Sequence, residues 1–329
     1  MIHVQQFYKI RSTNEIDELN CGDYDWLEIT NPSNRDLSLV QRRTGLDVST
    51  SKLILSSHES SHIEGLTEPD KPLMIVLQYP KIVKSNLGDF KEYTTSPIIL
   101  ILSNDEDNND LITISSHEPS FISMIQEDSK NLKVHITNKK DIMLLVIYYM
   151  SQEYRSILNT LSKDANSLEQ SLKTATNNNI FYHIMSIQKT VSSFLDSLAN
   201  NQNICEKIED DANYFASEKY TELARSASLA LEETSESARH LDYILDKYAS
   251  LVSSIVGNNQ LATINKFTEW SIVLSFLSAF FGALGINYYL PGESSHVTTL
   301  LVFATIFASS IWLSKYIRKL LNGNKKETR

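Results

Sequence analysis

Residues 270–292 read WSIVLSFLSAFFGALGINYYLPG, 23 positions without an Asp, Glu, Lys or Arg; beyond Glu293, residues 294–314 read SSHVTTLLVFATIFASSIWLS, another 21. At a helical rise of about 1.5 Å per residue, either run is long enough to cross a hydrocarbon core of about 30 Å. A pair of buried core helices is the alternative, but a soluble core helix rarely runs past about twenty residues without a charge. The runs therefore predict a transmembrane hairpin with spans at 266–290 and 297–317. The loop 291–296 between them holds Pro291 and Gly292, which turn the chain. The mean hydropathy is only −0.22 because a polar remainder dilutes these runs.

Charge orients the hairpin. From Lys315 onward six cations (Lys315, Arg318, Lys319, Lys325, Lys326, Arg329) face the single acid Glu327, a balance of +5 in a chain of net −10, so the rest carries −15. A basic tail at 318–329 stays on the cytoplasmic side. With two spans the N-terminal part is then cytoplasmic too, in keeping with Met1-Ile2-His3-Val4-Gln5, which opens no signal peptide. The expectation is a two-span cell-membrane protein with both termini in the cytoplasm and the loop around Glu293 outside. An acidic chain lacks the basic face that nucleic acid requires. Nine glycines in 329 residues are too few for a fold built on Gly-rich phosphate loops. Cys21 and Cys205 form neither a disulfide framework nor a zinc site by spacing.

The soluble part divides by its Gly and Pro. Six of seven prolines lie from Pro32 to Pro119, and from Ser120 to Val256 there is neither proline nor glycine. The first segment, 1–140, reads as α/β: Trp26-Leu27-Glu28-Ile29-Thr30 alternates as a half-buried strand does, and Leu73–Leu77 and Ile98–Leu102 are short buried runs. Ser33, with Asp36 three residues on, is placed to cap the next helix. Segment 141–265 is helical. Leu158, Leu161, Leu168 and Leu172, then Ile184, Ile187, Val191, Phe194 and Leu198, recur at helical spacing around the polar turn Asn177-Asn178-Asn179. A third helix is expected from near Tyr214 into the first span, about 77 residues, with Gly257-Asn258-Asn259 its one weak point.

Steps of three and four along this helix give Leu261, Ile264, Thr268, Ser271, Ser275, Ser278, Gly282 and Gly285, hydroxyls and then glycines. In a bilayer such a stripe faces protein or water. Two readings follow: close helix packing through small residues, or the wall of a pore. One hairpin encloses no pore, so the second reading requires a ring of several chains.

At its outer end the stripe meets Gly285-Ile286-Asn287, with Glu293 six positions after the Asn. This resembles the CorA family of divalent-cation transporters, whose Gly-Met-Asn signature follows the first of two C-terminal spans and often precedes an acidic loop. Gly257-Asn258-Asn259, Thr268 and Ser271-Ile272 sit in the register of the family's approach to its first span. Trp26–Pro32, and Glu59, Ile63-Glu64 and Leu73–Pro80, look like its first strand and its Asp-x-x-Glu-x-x-Arg-Ile-Glu segment, so the resemblance covers essentially the whole chain.

The resemblance implies a non-enzymatic homopentameric funnel: a cytoplasmic α/β/α domain, long helices, an inner ring of first spans and an outer ring of second spans. Mg²⁺ is then the transported ion and a regulatory ligand of cytoplasmic carboxylates that no residue here identifies. Gly285, Ile286 and Asn287 form the mouth, where Asn287 meets a hydrated Mg²⁺. Leu261, Ile264, Thr268, Ser271, Ser275, Ser278 and Gly282 line the path, and Glu293 concentrates cations by its field. Neutral oxygens suit a cation that dehydrates reluctantly. The chain departs from the pattern at Ile286 (Met in the signature), Leu284 (usually aromatic), Leu261 (an inner Asn) and Leu277 (a mid-span Pro). Leu261, Ile264 and Phe267 then make an apolar inner gate. These departures leave Zn²⁺, Co²⁺ or Ni²⁺ transport, or a non-conducting scaffold, as alternatives.

Two motifs are set aside. His58-Glu59-Ser60-Ser61-His62 matches a zinc-protease pattern but coincides with the family's own segment. Asp105–Asp110 lacks the central Gly and final Glu of a calcium loop and reads as a hairpin turn. The acids Glu206, Glu209, Asp210, Asp211, Glu218 and Glu222 read as a wet helix face.

Overall fold

The computed structural model describes residues 7–11, 26–45, 60–68, 71–88, 90–103, 111–130, 136, 138–172, 179–211, 214–284 and 296–323. The chain falls into two compact units, Met1–Ala249 and Ser250–Arg329.

The first unit is built on a six-stranded sheet in the order β1-β2-β6-β5-β4-β3. Its strands are β1 (Phe7–Arg11), β2 (Trp26–Thr30), β3 (His62–Glu64), β4 (Leu73–Lys84), β5 (Lys91–Leu102) and β6 (Leu111–Ser115). β1, β2 and β6 run parallel, whereas β6, β5, β4 and β3 pair antiparallel. The apolar runs at Leu73 and Ile98 are the buried ends of a 12-residue hairpin pair.

Helix α1 (Asn34–Thr44) covers one face. Leu37 and Val40 join Leu27, Ile29, Met74, Val76, Ile99, Ile101, Ile112 and Ile114 in a single cluster. Strand register explains it: Leu27 opposes Ile112, Ile112 opposes Ile101, and Ile101 opposes Met74, so one residue in two from each strand meets on this side. The cap expected at Ser33 is present as a full box: Ser33 Oγ accepts the Asp36 N–H at 3.3 Å, and Asp36 Oδ2 accepts the Ser33 N–H at 2.6 Å. Gly45, at φ 72°, ends the helix in the left-handed conformation.

On the opposite face lie α2 (Ser120–Lys130), α3 (Lys139–Leu172) and α4 (Asn179–Glu209). Tyr79 meets Phe121 of α2 edge-on, and Tyr154 of α3 lies between the strands and Phe194 of α4. This second cover corrects one expectation. β2 alternates in sequence but is buried along four of its five residues, because Trp26 packs into the far layer and donates from Nε1 to Thr113 Oγ1 at 3.2 Å. The first unit is thus a three-layer α/β/α domain.

Helix α5 runs unbroken from Glu218 to Leu284, 67 residues. It starts four residues beyond Tyr214, because Asp211 Oδ2 accepts the N–H groups of Tyr214 and Phe215 at 2.5 and 2.7 Å and holds the chain in a turn. Gly257-Asn258-Asn259, expected as a weak point, is regular helix. The second unit comprises the rest of α5 from Ser250 and helix α6 (His296–Gly323).

Candidate functional site

The stripe singled out from sequence lies along α5. Leu261 and Ile264 are 58% and 56% exposed, and Thr268, Ser271, Ser275, Ser278 and Gly282 are exposed too. A Cβ added at Gly282 would meet nothing within 4 Å. Thr268 satisfies its own hydroxyl by donating to the Ile264 carbonyl at 2.9 Å. Gly285, Ile286, Asn287 and Glu293 lie outside the described residues.

A different face of α5 meets α6. Glu269, 8% exposed, accepts a hydrogen bond from Ser314 Oγ at 2.6 Å. Val273, Phe276 and Phe280 continue this face at half burial, with the Phe276 and Phe280 rings 6.3 Å apart. On α6 the buried side chains are Ile306, Ser310 and Ile317. At about 100° per residue, the Glu269–Phe280 row and the stripe point to nearly opposite sides of the helix. The small and hydroxyl residues are therefore not the surface on which α5 packs α6.

Sequence reading missed Glu269 and Ser314 as partners. Glu269 lies just before the first uncharged run and Ser314 is the last residue of the second, and nothing in either helix alone pairs them. Large apolar side chains elsewhere on the two helices are open, among them Ile272, Leu274 and Phe281 on α5 and Val297, Leu301, Phe307 and Ile311 on α6. Among the described residues no helix is long and apolar enough to cross a membrane. The expected hairpin also draws on residues 285–295, which lie outside them.

In the first unit two acids of the helix face, Asp211 and Glu209, have structural partners. Asp211 caps the turn before α5, and Glu209 lies 3.8 Å from Arg225. Asp141 is buried at the start of α3. It accepts the Asn138 N–H at 3.1 Å and lies 2.7 Å from Lys219 Nζ, tying α3 to the start of α5. Lys140 donates to the Tyr214 carbonyl at 2.6 Å and lies 3.9 Å from the centre of the Tyr214 ring; burial lowers its ammonium pKa.

An open cleft of about 760 Å³ is lined by Glu64, Glu68, Asp210 and Asp211 together with Lys71 and Lys207, so its carboxylates sit among cations. Among the described residues no group of three or more His, Cys, Asp or Glu side chains is arranged to hold a metal. Of the protease-like motif, His62 sits on strand β3 rather than a helical turn, and His58 and Glu59 lie outside the described residues. Asp105–Asp110 lies outside them as well.

The family model described as "CorA-like Mg2+ transporter protein" matches residues 22–319. A curated relative, the cobalt/magnesium transport protein CorA of Methanocaldococcus jannaschii, is 22% identical over 195 residues, which are 58% of this chain and 57% of that protein. The alignment thus spans little more than half the length of that relative. The complete structure of the CorA magnesium transporter from the same organism superposes with a TM-score of 0.73 at 19% identity, covering 92% of each chain. The full-length CmaX structure superposes with a TM-score of 0.61 at 14% identity, over 89% of this chain and 88% of the other. At such identities these likenesses concern the fold.

Proposed function

The chain belongs to the CorA-like Mg2+ transporter family, and from that premise we propose that it carries a divalent cation, Mg²⁺ foremost, across the cell membrane through a pore formed by several copies of α5. The family is one of transporters, so no covalent step is involved. In this reading α5 and α6 are the two spans, five chains form the ring, and both termini are cytoplasmic. The observation that carries it is the exposed row Thr268, Ser271, Ser275, Ser278 and Gly282, turned away from α6. In a bilayer, hydroxyls on that side face either a second copy or water, and a ring of copies supplies both. The open apolar residues Ile272, Leu274, Phe307 and Ile311 find cover in lipid or in neighbouring copies.

The chemistry suits a hydrated ion. Asn287, with Gly285 and Ile286, forms a mouth of neutral oxygens that selects Mg²⁺ through its water shell, and Glu293 raises the local cation concentration. Hydroxyls of Ser278, Ser275 and Ser271 then accompany the hydrated ion inward. Leu261 and Ile264 close the inner end as an apolar constriction that stops ions by dewetting. Co²⁺ is the second reading, favoured by the name of the curated relative and by Ile286 in place of the signature Met; Zn²⁺ and Ni²⁺ belong to the same test.

The test is Mg²⁺ entry into proteoliposomes holding an indicator dye, with Co²⁺, Zn²⁺ and Ni²⁺ as competitors and Asn287→Ala as the variant. Mg²⁺ entry lost in the variant is the expected result. Entry unchanged by the substitution refutes the mouth. No entry of any ion through a folded oligomer makes the chain a membrane scaffold.

A further inference from the structure

Four residues on the last turns of α6 share one face. Trp312, Lys315, Tyr316 and Lys319 follow one another at steps of three, one and three, and all four are exposed, Trp312 by 66% and Tyr316 by 50%. The two rings stack, with centroids 5.5 Å apart and planes 12° from parallel. Ser310 and Ile317, which are buried, and Ser314, which bonds Glu269, lie on the other side of the helix, so this face points away from α5.

The Glu269–Ser314 hydrogen bond also fixes depth. It sets Trp270 of α5, 64% exposed and next to Glu269, at the level of Trp312, two residues before Ser314. Two exposed tryptophans from different helices therefore lie at one height, just where both uncharged runs meet charged sequence. Tryptophan and tyrosine at one depth mark a membrane–water boundary, where one end of the ring is apolar and the other wet.

We propose that the Trp312/Tyr316 stack, with Lys315 and Lys319, is a binding site for the headgroups of anionic phospholipids in the cytoplasmic leaflet. The inference rests on the reading that α5 and α6 cross a bilayer, and goes beyond it by naming the lipid. The lysines lie within one turn of the stack and supply charge and donors at the height of a phosphate, while the rings cover the adjoining glycerol and upper acyl carbons. The occupant is acidic because the partner must match two cations held on one apolar platform. A lysine near an anionic leaflet strengthens association with it about fivefold.

Quenching by brominated lipids tests it on the full chain reconstituted into vesicles. In a Trp270→Phe background Trp312 is the tryptophan at the boundary, since Trp26 is buried at the sheet. In mixed vesicles, brominated phosphatidylglycerol should quench Trp312 more strongly than the same fraction of brominated phosphatidylcholine. The preference should vanish in Lys315→Gln/Lys319→Gln while quenching itself persists. Equal quenching by the two lipids in the parent chain overturns the site but leaves the membrane reading standing. Absence of quenching in a chain that floats with the vesicles means a neighbouring copy covers the face, and also overturns the site. A chain that does not float with vesicles refutes the membrane reading itself.

Discussion

Along α4 the small polar residues Ser186, Thr190, Ser193, Ser197 and Asn201 follow one another by steps of four, three, four and four; along α5 Thr268, Ser271, Ser275, Ser278 and Gly282 do so by three, four, three and four. The α4 row is turned onto the sheet. Thr190 Oγ1 accepts the Tyr93 N–H at 3.1 Å, Ser197 Oγ donates to Thr95 Oγ1 at 3.0 Å, and Asn201 both accepts from the Gln78 N–H at 3.0 Å and donates to the Gln78 carbonyl at 2.8 Å. The α5 row is open, and the bond seen there is the internal one from Thr268. A stripe of small polar residues thus joins helix to strand in α4 and stands open in α5. Spacing does not separate the two uses; the partners do.

The contrast is broken most severely at Gly282. Gly282→Leu is expected to abolish cation entry while leaving the unfolding of the first unit unchanged, since Gly282 lies in the second unit and a Cβ added there meets nothing within 4 Å. Lost entry together with a destabilised first unit would put the stripe in the same class as the α4 row. The α4 row predicts the reverse pattern. Asn201→Ala removes the side-chain bonds to the Gln78 N–H and carbonyl and the acceptor of the Ser61 hydroxyl, while Tyr154 still serves the carbonyl at 2.9 Å, so stability should fall by about 1–3 kcal/mol in urea unfolding. Ser33→Ala, which removes a helix cap far from either row, should cost about 1 kcal/mol in the same assay.

The smallest effect concerns pH. Burial raises the Glu153 pKa above the ordinary carboxylate range, against the favourable bond from Ser120. A group whose folded pKa is raised adds stability below its unfolded pKa and loses it as pH rises through the folded value. The parent chain should therefore lose stability as pH climbs from the ordinary carboxylate range through the raised value. Glu153→Gln should flatten that slope, read as the difference in Tm between acidic and neutral buffer.

Much of this was legible in the sequence. Ser33 and Asp36 announced a capping box that the structure contains; spacing picked out Thr268, Ser271, Ser275, Ser278 and Gly282 as one row, and the structure shows that row exposed. β2 was misjudged as half-buried because alternation in one strand does not report a second layer supplied by Trp26, Tyr154 and Phe194, residues brought together from far apart. The α4 polar row went unread because Ile184, Ile187, Val191, Phe194 and Leu198 already oriented the helix. Its value depends on strand edges more than 90 residues away. The start of α5 moved to Glu218 because one side chain, Asp211, captures two backbone N–H groups, an event that propensity does not register. The Glu269–Ser314 pair was hidden for a related reason: its two residues lie 45 positions apart on different helices, and spacing along one helix does not pair them.

The central claim is that the open row of α5 lines the path of the ion. Its most direct test is cysteine modification during cation flux into proteoliposomes, comparing Ser275→Cys with Leu274→Cys, neighbours on different sides of the helix, both in a Cys21→Ser background. Cys205 can stay, since it is buried and its thiol pKa is pushed up to about 12. A small cationic thiol reagent added from the aqueous side should stop flux through the Ser275→Cys chain and leave the Leu274→Cys chain conducting. Block of the Leu274→Cys chain alone, or indifference of both chains to the reagent while they conduct, would contradict the account.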